Sequence, residues 1–381
     1  MNSQPPFRLL CLLALASLVF SSCRQNPEER RVVDLGGSGW TLWHDQKAAW
    51  QNDELLLPPV DLSKVPTNIP TGGWDIPAQG LSVSVPGTVE EYLGKGQGPD
   101  AQTKGVTWWT RSIHVPDVPK NSILRLQFDS VRLRAEVYVN GRLVAYDLVG
   151  NTPFEADLTP LLRDGTIRPG SDAKLAVRVT NPGGNCDWKD VDPIAWGKYL
   201  IPIGHGFSGI TGGVKLVATA PIHVADLYLQ NTPNPRSINA IATIRNDSGK
   251  EEAGHLSLII REKAGGATLL EKDLPGLTFH PGDNSVTVPA EVPQAKLWDP
   301  DHPNLYTAEA IVFSGKKPVD ATAETFGFRW FSPEGIDSDA VLRLNGKRIV
   351  LRTAIIWGFW PINGVFPSPE LAARQIGRAH V

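Results

Sequence analysis

The feature that most limits what this chain can fold into is a short alternation that recurs and is broken each time by turn residues. Residues 134–140 are its clearest instance. Ala135, Val137 and Val139 fall on one face, and Glu136 and Tyr138 on the other, as the period-two geometry of a strand requires. Asn140-Gly141 follows, a type I′ hairpin signal because both residues tolerate positive φ, and residues 143–147 supply the return strand. The alternation recurs at 108–115, 123–128, 174–180 and 214–217, with no sustained helical period between. Short strands at this spacing predict a β-sandwich. The 32 prolines and 36 glycines, without a collagen period, agree with a turn-rich chain. Residues 40–105 read as irregular, and the proline-bearing stretch 55–77 as a wandering surface segment.

Pro221 marks a boundary. Beyond it a second series of strand signals runs through 224–229, 238–245, 255–261, 285–288, 306–313 and 324–328. Turns at Asp247-Ser248-Gly249, Gly265-Gly266 and Pro281-Gly282-Asp283 punctuate it. Six or seven strands in roughly a hundred residues is the arithmetic of an immunoglobulin-like sandwich. A further hairpin is expected at 341–351 around Asn345-Gly346, and a short apolar run at 354–357. Ser368-Pro369-Glu370 reads as a helix start, with serine as N-cap, proline at N1 and an acid in the first turn. A strand and a helix with no parallel partner cannot bury their own apolar faces, so further sequence is expected downstream. Residues 376–381 match the translation of a common sequencing adapter, so the natural frame is expected to end near Gln375. The alternative is a genuine short C-terminus.

With 37 Lys+Arg against 40 Asp+Glu the formal net charge is −3, which excludes the basic face that nucleic acid demands. Arg8 precedes an apolar run at 9–20, too short for the ~20 residues a membrane span needs but fitting the core of a secretory signal. Phe20-Ser21-Ser22-Cys23 looks like a bacterial lipobox. Residues 1–22 are therefore read as a lipoprotein signal, Cys23 as the lipidated residue that holds the protein on a membrane, and 23–35 as a polar tether. An ordinary cleaved signal is the plainer reading. Cys186 is then the only cysteine left in the folded body, so no internal disulfide is expected.

Several segments, in order, resemble the N-terminal part of glycoside hydrolase family 2. Gly105-Val106-Thr107-Trp108-Trp109-Thr110-Arg111 through Val115-Pro116 is similar to its Trp-Tyr-Arg-Arg strand, and Val139-Asn140-Gly141 to its hairpin. Pro153-Phe154 through Asp157-Leu158-Thr159, Ser208-Gly209-Ile210, Leu297-Trp298-Asp299-Pro300 through Leu305-Tyr306, Phe326-Gly327-Phe328-Arg329 and Leu344-Asn345-Gly346 continue the match. The resemblance implies a mainly β chain. A jelly-roll β-sandwich of the galactose-binding, sugar-binding type would occupy 36–220 and an immunoglobulin-like β-sandwich 221–331. The truncated start of a (β/α)₈ TIM barrel would occupy 332–381. It further implies a retaining O-glycosidase whose acid/base glutamate follows an asparagine. No Asn-Glu dipeptide occurs here, and only about 50 of the ~250 residues of a barrel are present. No catalytic residue is therefore assigned, and none is taken from Glu324, Glu334 or Glu370. The runner-up is a non-catalytic carbohydrate-binding or scaffold lipoprotein. Arg352-Thr353-Ala354-Ile355 stands where the family reads Arg-Gly-Val-Asn, which leaves the sugar open.

Five residues are candidates for contact with a carbohydrate substrate. Asp187 and Trp188 pair a hydroxyl-accepting carboxylate with an indole face; the alternative is a solvated loop. His205 lies in Gly204-His205-Gly206-Phe207-Ser208-Gly209. That run matches the dinucleotide pattern but is followed by a strand rather than a helix, so no nucleotide is expected. Trp357 and Trp360 would stand at the catalytic face of the barrel. Trp298 and Trp330 are expected to pack domains together. Asp187, Asp190 and Asp192 lack a calcium ligand set, and no zinc spacing occurs among the eight histidines. No metal and no cofactor are expected.

Overall fold

A computed structural model describes residues 30–75, 80–93, 104–182, 194–201, 207–338, 340–353 and 373 of the chain. The first half is built from β1 (Arg31–Asp34), β2 (Gly37–Asp45), β3 (Leu81–Val85), β4 (Gly105–His114), β5 (Ile123–Phe128) and β6 (Arg134–Val139). It continues with β7 (Arg142–Asp147), β8 (Phe154–Asp157), β9 (Asp172–Asn181), β10 (Ile194–Trp196), β11 (Tyr199–Ile201) and β12 (Val214–Thr219). Two short helices, α1 (Val89–Leu93) and α2 (Thr159–Arg163), interrupt them. One sheet runs β1-β12-β5-β8 and the other β3-β2-β4-β9-β6-β7. Alternate residues of both sheets meet between them: Trp109 and Ile113 from β4, Val137 and Val139 from β6, Leu175, Val177 and Val179 from β9, Leu124 and Leu126 from β5. Asn140 and Gly141 both carry positive φ, 47° and 78°, and turn β6 into β7.

The second half holds β13 (Ile222–Asn231), β14 (Ser237–Asn246), β15 (Glu252–Glu262), β16 (Thr268–Phe279), β17 (Gly282–Glu291), β18 (Tyr306–Ser314) and β19 (Lys317–Phe326). Its sheets run β13-β14-β17 and β16-β15-β18-β19. In β14 the rule of two is strict: Ile238, Ala240, Ala242 and Ile244 are buried, and the residues between them are half-exposed. A three-stranded sheet of β20 (Phe331–Glu334), β21 (Val341–Leu344) and β22 (Lys347–Ile349) follows. Asn345 at its turn fastens it to the second sandwich. Its side-chain nitrogen donates to the Trp298 carbonyl at 3.0 Å, and its side-chain oxygen accepts from the Trp330 amide at 2.9 Å. The expected barrel strand near 354 and the helix start at Ser368 lie outside the described residues.

Three expectations need correction. Residues 31–34, assigned to the tether, form β1 and pair antiparallel with β12 from Arg31↔Ala218 to Asp34↔Lys215. Arg30 is fixed as well, gripping the fully buried Asp320 through two nitrogens at 2.8 Å each. Residues 40–105, read as irregular, hold most of β2, whose alternation is masked by glycine and tryptophan, and all of β3, a five-residue edge strand that alternates cleanly as Leu-Ser-Val-Ser-Val. β16, absent from the expected series, is an edge strand with largely exposed side chains, so no apolar period betrays it.

The two sandwiches meet at a polar seam. Arg125 on β5 donates to Asp247 at 2.6 Å, and its other terminal nitrogen lies 3.3 Å from Nε2 of His223 on β13. Nδ1 of that histidine is 3.2 Å from the Ala220 carbonyl. A carbonyl can only accept, so Nδ1 carries the proton and Nε2 accepts from the guanidinium.

Candidate functional site

Asp187, Trp188, His205, Trp357, Trp360 and Cys23 all lie outside the described residues. The structure does describe what flanks the first three. After residue 193 the chain enters β10, where Trp196 is wholly buried. Its indole N–H donates to the Trp50 carbonyl at 2.7 Å, and the two rings meet edge to face at 5.2 Å. After residue 206 the chain is sewn to the end of the sandwich. Gly209 exchanges backbone hydrogen bonds with Arg132, Val89 donates to Ser208 and Gly87 donates to Ile210. Gly209 has φ +136°, and a Cβ there would stand 2.5 Å from the Gly87 carbonyl, so glycine is required. Both candidate segments thus spring from rigid points.

The first of those points is part of a polar and aromatic layer on the outer face of the six-stranded sheet. The strand geometry that sends Val137 and Val177 inward sends Glu136, Tyr138 and Arg178 outward. These side chains do not reach solvent: Glu136 is 1% exposed and Arg178 is 2% exposed. Residues 46–75 lie over them. Arg178 lies 2.6 Å from Glu136 and donates to the Ala49 carbonyl at 3.3 Å. Arg134 lies 2.7 Å from Glu136 and 2.5 Å from Asp53, and its guanidinium is 5.0 Å from the Trp196 ring. Asn68 donates its side-chain N–H to Glu136 at 2.7 Å and its amide to the Tyr138 hydroxyl at 3.0 Å. That hydroxyl in turn donates to Glu136 at 2.7 Å. Burial and the neighbouring Glu136 carboxylate push the Tyr138 phenol far up, so it stays a neutral donor. Burial likewise raises Tyr146, which accepts from the Leu56 amide at 3.1 Å. Trp74 and Trp108 pack with Tyr138 at ring separations of 5.4–5.7 Å. Asp45 accepts from Thr71 and from the Trp108 indole N–H.

Asp53 and Glu136 both touch one nitrogen of Arg134, which brings together two carboxylates, the residue pair that a glycosidase employs. Their surroundings remove that role. Glu136 accepts from two guanidiniums, a phenol and an amide. A carboxylate so occupied can neither attack a sugar carbon nor hold a proton for a leaving group. Glu334 is tied to Arg343 at 2.6 Å, and Glu324 is exposed on β19. Among the described residues no group of three or more metal-binding side chains occurs.

The polar layer escaped the sequence because a strand with one polar face reads as half-solvated. Its trace was present nonetheless. Arg134, Glu136 and Arg178 are charges of opposite sign on strands that neighbour each other, and Glu136 stands directly opposite Arg178 in register. The stretch read as a wandering surface segment is the cover of that layer.

Comparison with known proteins bears on the same regions. Residues 222–329 match the family model described as glycosyl hydrolases family 2, and residues 43–194 match that of the family's sugar binding domain. A putative beta-glucuronidase of Formosa agariphila is 25% identical over 374 residues, covering 95% of this chain and 31% of the relative. A beta-galactosidase of Bacteroides ovatus is 27% identical over 271 residues, covering 70% of this chain and 29% of the relative. The crystal structure of a Bacteroides uniformis beta-glucuronidase superposes with a TM-score of 0.65 at 20% identity, over 91% of this chain and 38% of that one. The chain spans about three tenths of the length of the curated relatives it matches.

Proposed function

The chain belongs to glycosyl hydrolase family 2, and on that premise we propose that it forms the sandwich region of an exported enzyme that hydrolyses O-glycosidic bonds with retention. In this reading the two catalytic glutamates lie outside residues 1–381, on a (β/α)₈ barrel. One attacks the anomeric carbon while the other protonates the departing oxygen. Water then displaces the first carboxylate, and the second takes the water's proton. The present chain supplies walls that orient the glycan, with the 183–193 and 202–206 segments, and so Asp187, Trp188 and His205, as its contributions. Trp357 and Trp360 would add aromatic contacts at the barrel mouth. The relatives' names bring β-glucuronides and β-galactosides forward as substrates. The leader and Cys23 support a lipid-anchored location, periplasmic or at the cell surface.

The observation that carries this reading is the ordered match of two family sandwiches in a chain that spans three tenths of its relatives. The test compares residues 1–381 with the product of the uninterrupted gene on 4-nitrophenyl β-glucuronide and β-galactoside. Turnover is expected from the longer product alone. Turnover by residues 1–381, or a natural stop after Val381, would overturn the reading.

A further inference from the structure

Arg30 is the first described residue, and it lies at the seam between the sandwiches. Its guanidinium holds Asp320 of β19 at 2.8 Å and donates to the Val224 carbonyl of β13 at 2.7 Å. Ile222 stands two residues before Val224, and Val319 one before Asp320. Both line an open groove of about 520 Å³ where the sandwiches meet. At about 3.3 Å per strand residue, the Arg30 guanidinium stands within roughly 10 Å of that lining. The first sandwich lends the groove Asn121 and Arg163. The second lends it Lys250 and Lys317, from the β14–β15 and β18–β19 turns.

The charge of this groove departs from that of the chain, which carries −3 as a whole. Its two carboxylates are already matched. Asp247 accepts from Arg125 at 2.6 Å and from Arg245 at 3.3 Å, and Glu252 lies 2.9 Å from Lys250. Arg163, exposed in the last turn of α2, forms no ion pair among the described residues. Exposed Lys120 and Lys316 adjoin the lining Asn121 and Lys317 along the chain and add two charges to the rim. Positive charge is therefore left in excess at the mouth of the seam.

Covalent geometry ties this surface to the anchor expected at Cys23. Cys23 precedes Arg30 by seven residues, and seven residues fully extended span at most about 25 Å. A lipid on Cys23 thus lets the groove reach the bilayer surface and does not let it stray far from it. Held that close, each lysine or arginine adds to the attraction toward anionic headgroups.

We propose that the seam groove is a second membrane contact, in which the phosphate of an anionic phospholipid headgroup lies across Arg163 and Lys317, one cation from each sandwich. The anchor rests on the exported, lipid-anchored reading above; the sign of the headgroup rests on the groove itself. So bound, the sandwich pair turns one fixed side to the bilayer. Its third sheet stands at the other end of β18 and β19 from the groove.

The test is co-sedimentation of the full chain carrying Cys23→Ser, which bears no lipid of its own, with phosphatidylcholine vesicles made with and without phosphatidylglycerol. Binding about tenfold tighter to the anionic vesicles is expected, and weaker at high salt. Arg163→Gln with Lys317→Gln is expected to lose about fivefold in affinity per charge, and Lys120→Gln with Lys316→Gln severalfold. Lys347→Gln with Arg348→Gln removes the same charge on β22 and is expected to leave the affinity unchanged. Equal affinity for both vesicle types, no loss in either groove pair, or an equal loss in the β22 pair would overturn the proposal. So would displacement by millimolar inorganic phosphate, which would make the groove a site for a free anion. Lipidation is read separately, by mass spectrometry of the protein extracted from membranes. A lipidated Cys23 without anionic preference refutes only the groove, and anionic preference without a lipid refutes only the anchor.

Discussion

β6 and β14 are both central strands of antiparallel sheets, yet they bury different fractions of themselves. In β14 every second residue is half-exposed, and the strand is stabilised from one side. In β6 all six residues are buried, three against apolar neighbours and three inside the ionic and aromatic layer beneath residues 46–75. The difference shows that one alternation supports two energetic regimes. A one-sided strand depends on hydrophobic contact, which weakens gradually as atoms are removed. A strand covered on its polar side also depends on complete pairing of desolvated charge, which fails abruptly when one partner is lost.

The contrast breaks most sharply at Glu136. Glu136→Ala leaves Arg134 and Arg178 buried without their shared carboxylate, and a loss of about 3–5 kcal/mol is expected. The matching change in the second sandwich is Glu309→Gln, which removes the partly exposed pair with Arg261. It is expected to cost less than about 1 kcal/mol. Urea unfolding monitored by tryptophan fluorescence compares them, and equal losses would erase the distinction between the two regimes.

A smaller effect is expected where the cover itself is loosened. Asn68→Ala removes one charge-assisted hydrogen bond to Glu136 and leaves the arginines paired. A cost of about 1.5–3 kcal/mol is expected, together with faster amide exchange across the described residues 46–75 than in β14. An exchange pattern unchanged from the parent would show that the cover is held by other contacts.

The mildest effect belongs to the seam between the sandwiches. Burial, and then the Arg125 guanidinium, hold the His223 imidazole below its ordinary value. Asp247 and Asp320 pull it the other way, and Arg30 adds to the lowering. With the folded value depressed, the unfolded chain binds the extra proton first as pH falls through about 6.5. The stabilisation is therefore present above that pH and is lost below it. Melting temperatures of the parent are expected to fall more between pH 7 and pH 5 than those of His223→Gln. A variant with the same slope would remove His223 from the acid response.

Much of the architecture was legible, for a specific reason. Val137, Val177, Ile238 and Ile244 sit at period two, and an apolar period states which face meets the core whatever lies opposite. The turns at Asn140-Gly141 and Asn345-Gly346 were legible because positive φ is a local demand that few residues meet. β2 and β16 were not, because glycine and tryptophan or exposure at a sheet edge blurred their period, and β3 was passed over although Leu81–Val85 alternates cleanly, because it is short and set between proline- and glycine-rich stretches. Of the site, the sequence pointed to segments rich in aspartate, histidine and tryptophan. It did not point to the layer of Arg134, Glu136 and Arg178, whose burial depends on which part of the sheet residues 46–75 cover.

By itself the sequence determined the strands of clear apolar period, their inward faces and the order of the two sandwiches, since these follow from residue spacing and local backbone preference. Only the tertiary structure decided that Glu136 is a buried anchor and not a solvated acid, and that the chain between Trp50 and Trp74 closes over one half of a sheet and leaves the other open. The reason is that desolvation and charge pairing are properties of the space around a side chain. That space is filled by residues such as Asp53 and Asn68, which are remote along the chain and carry no periodic mark of their destination.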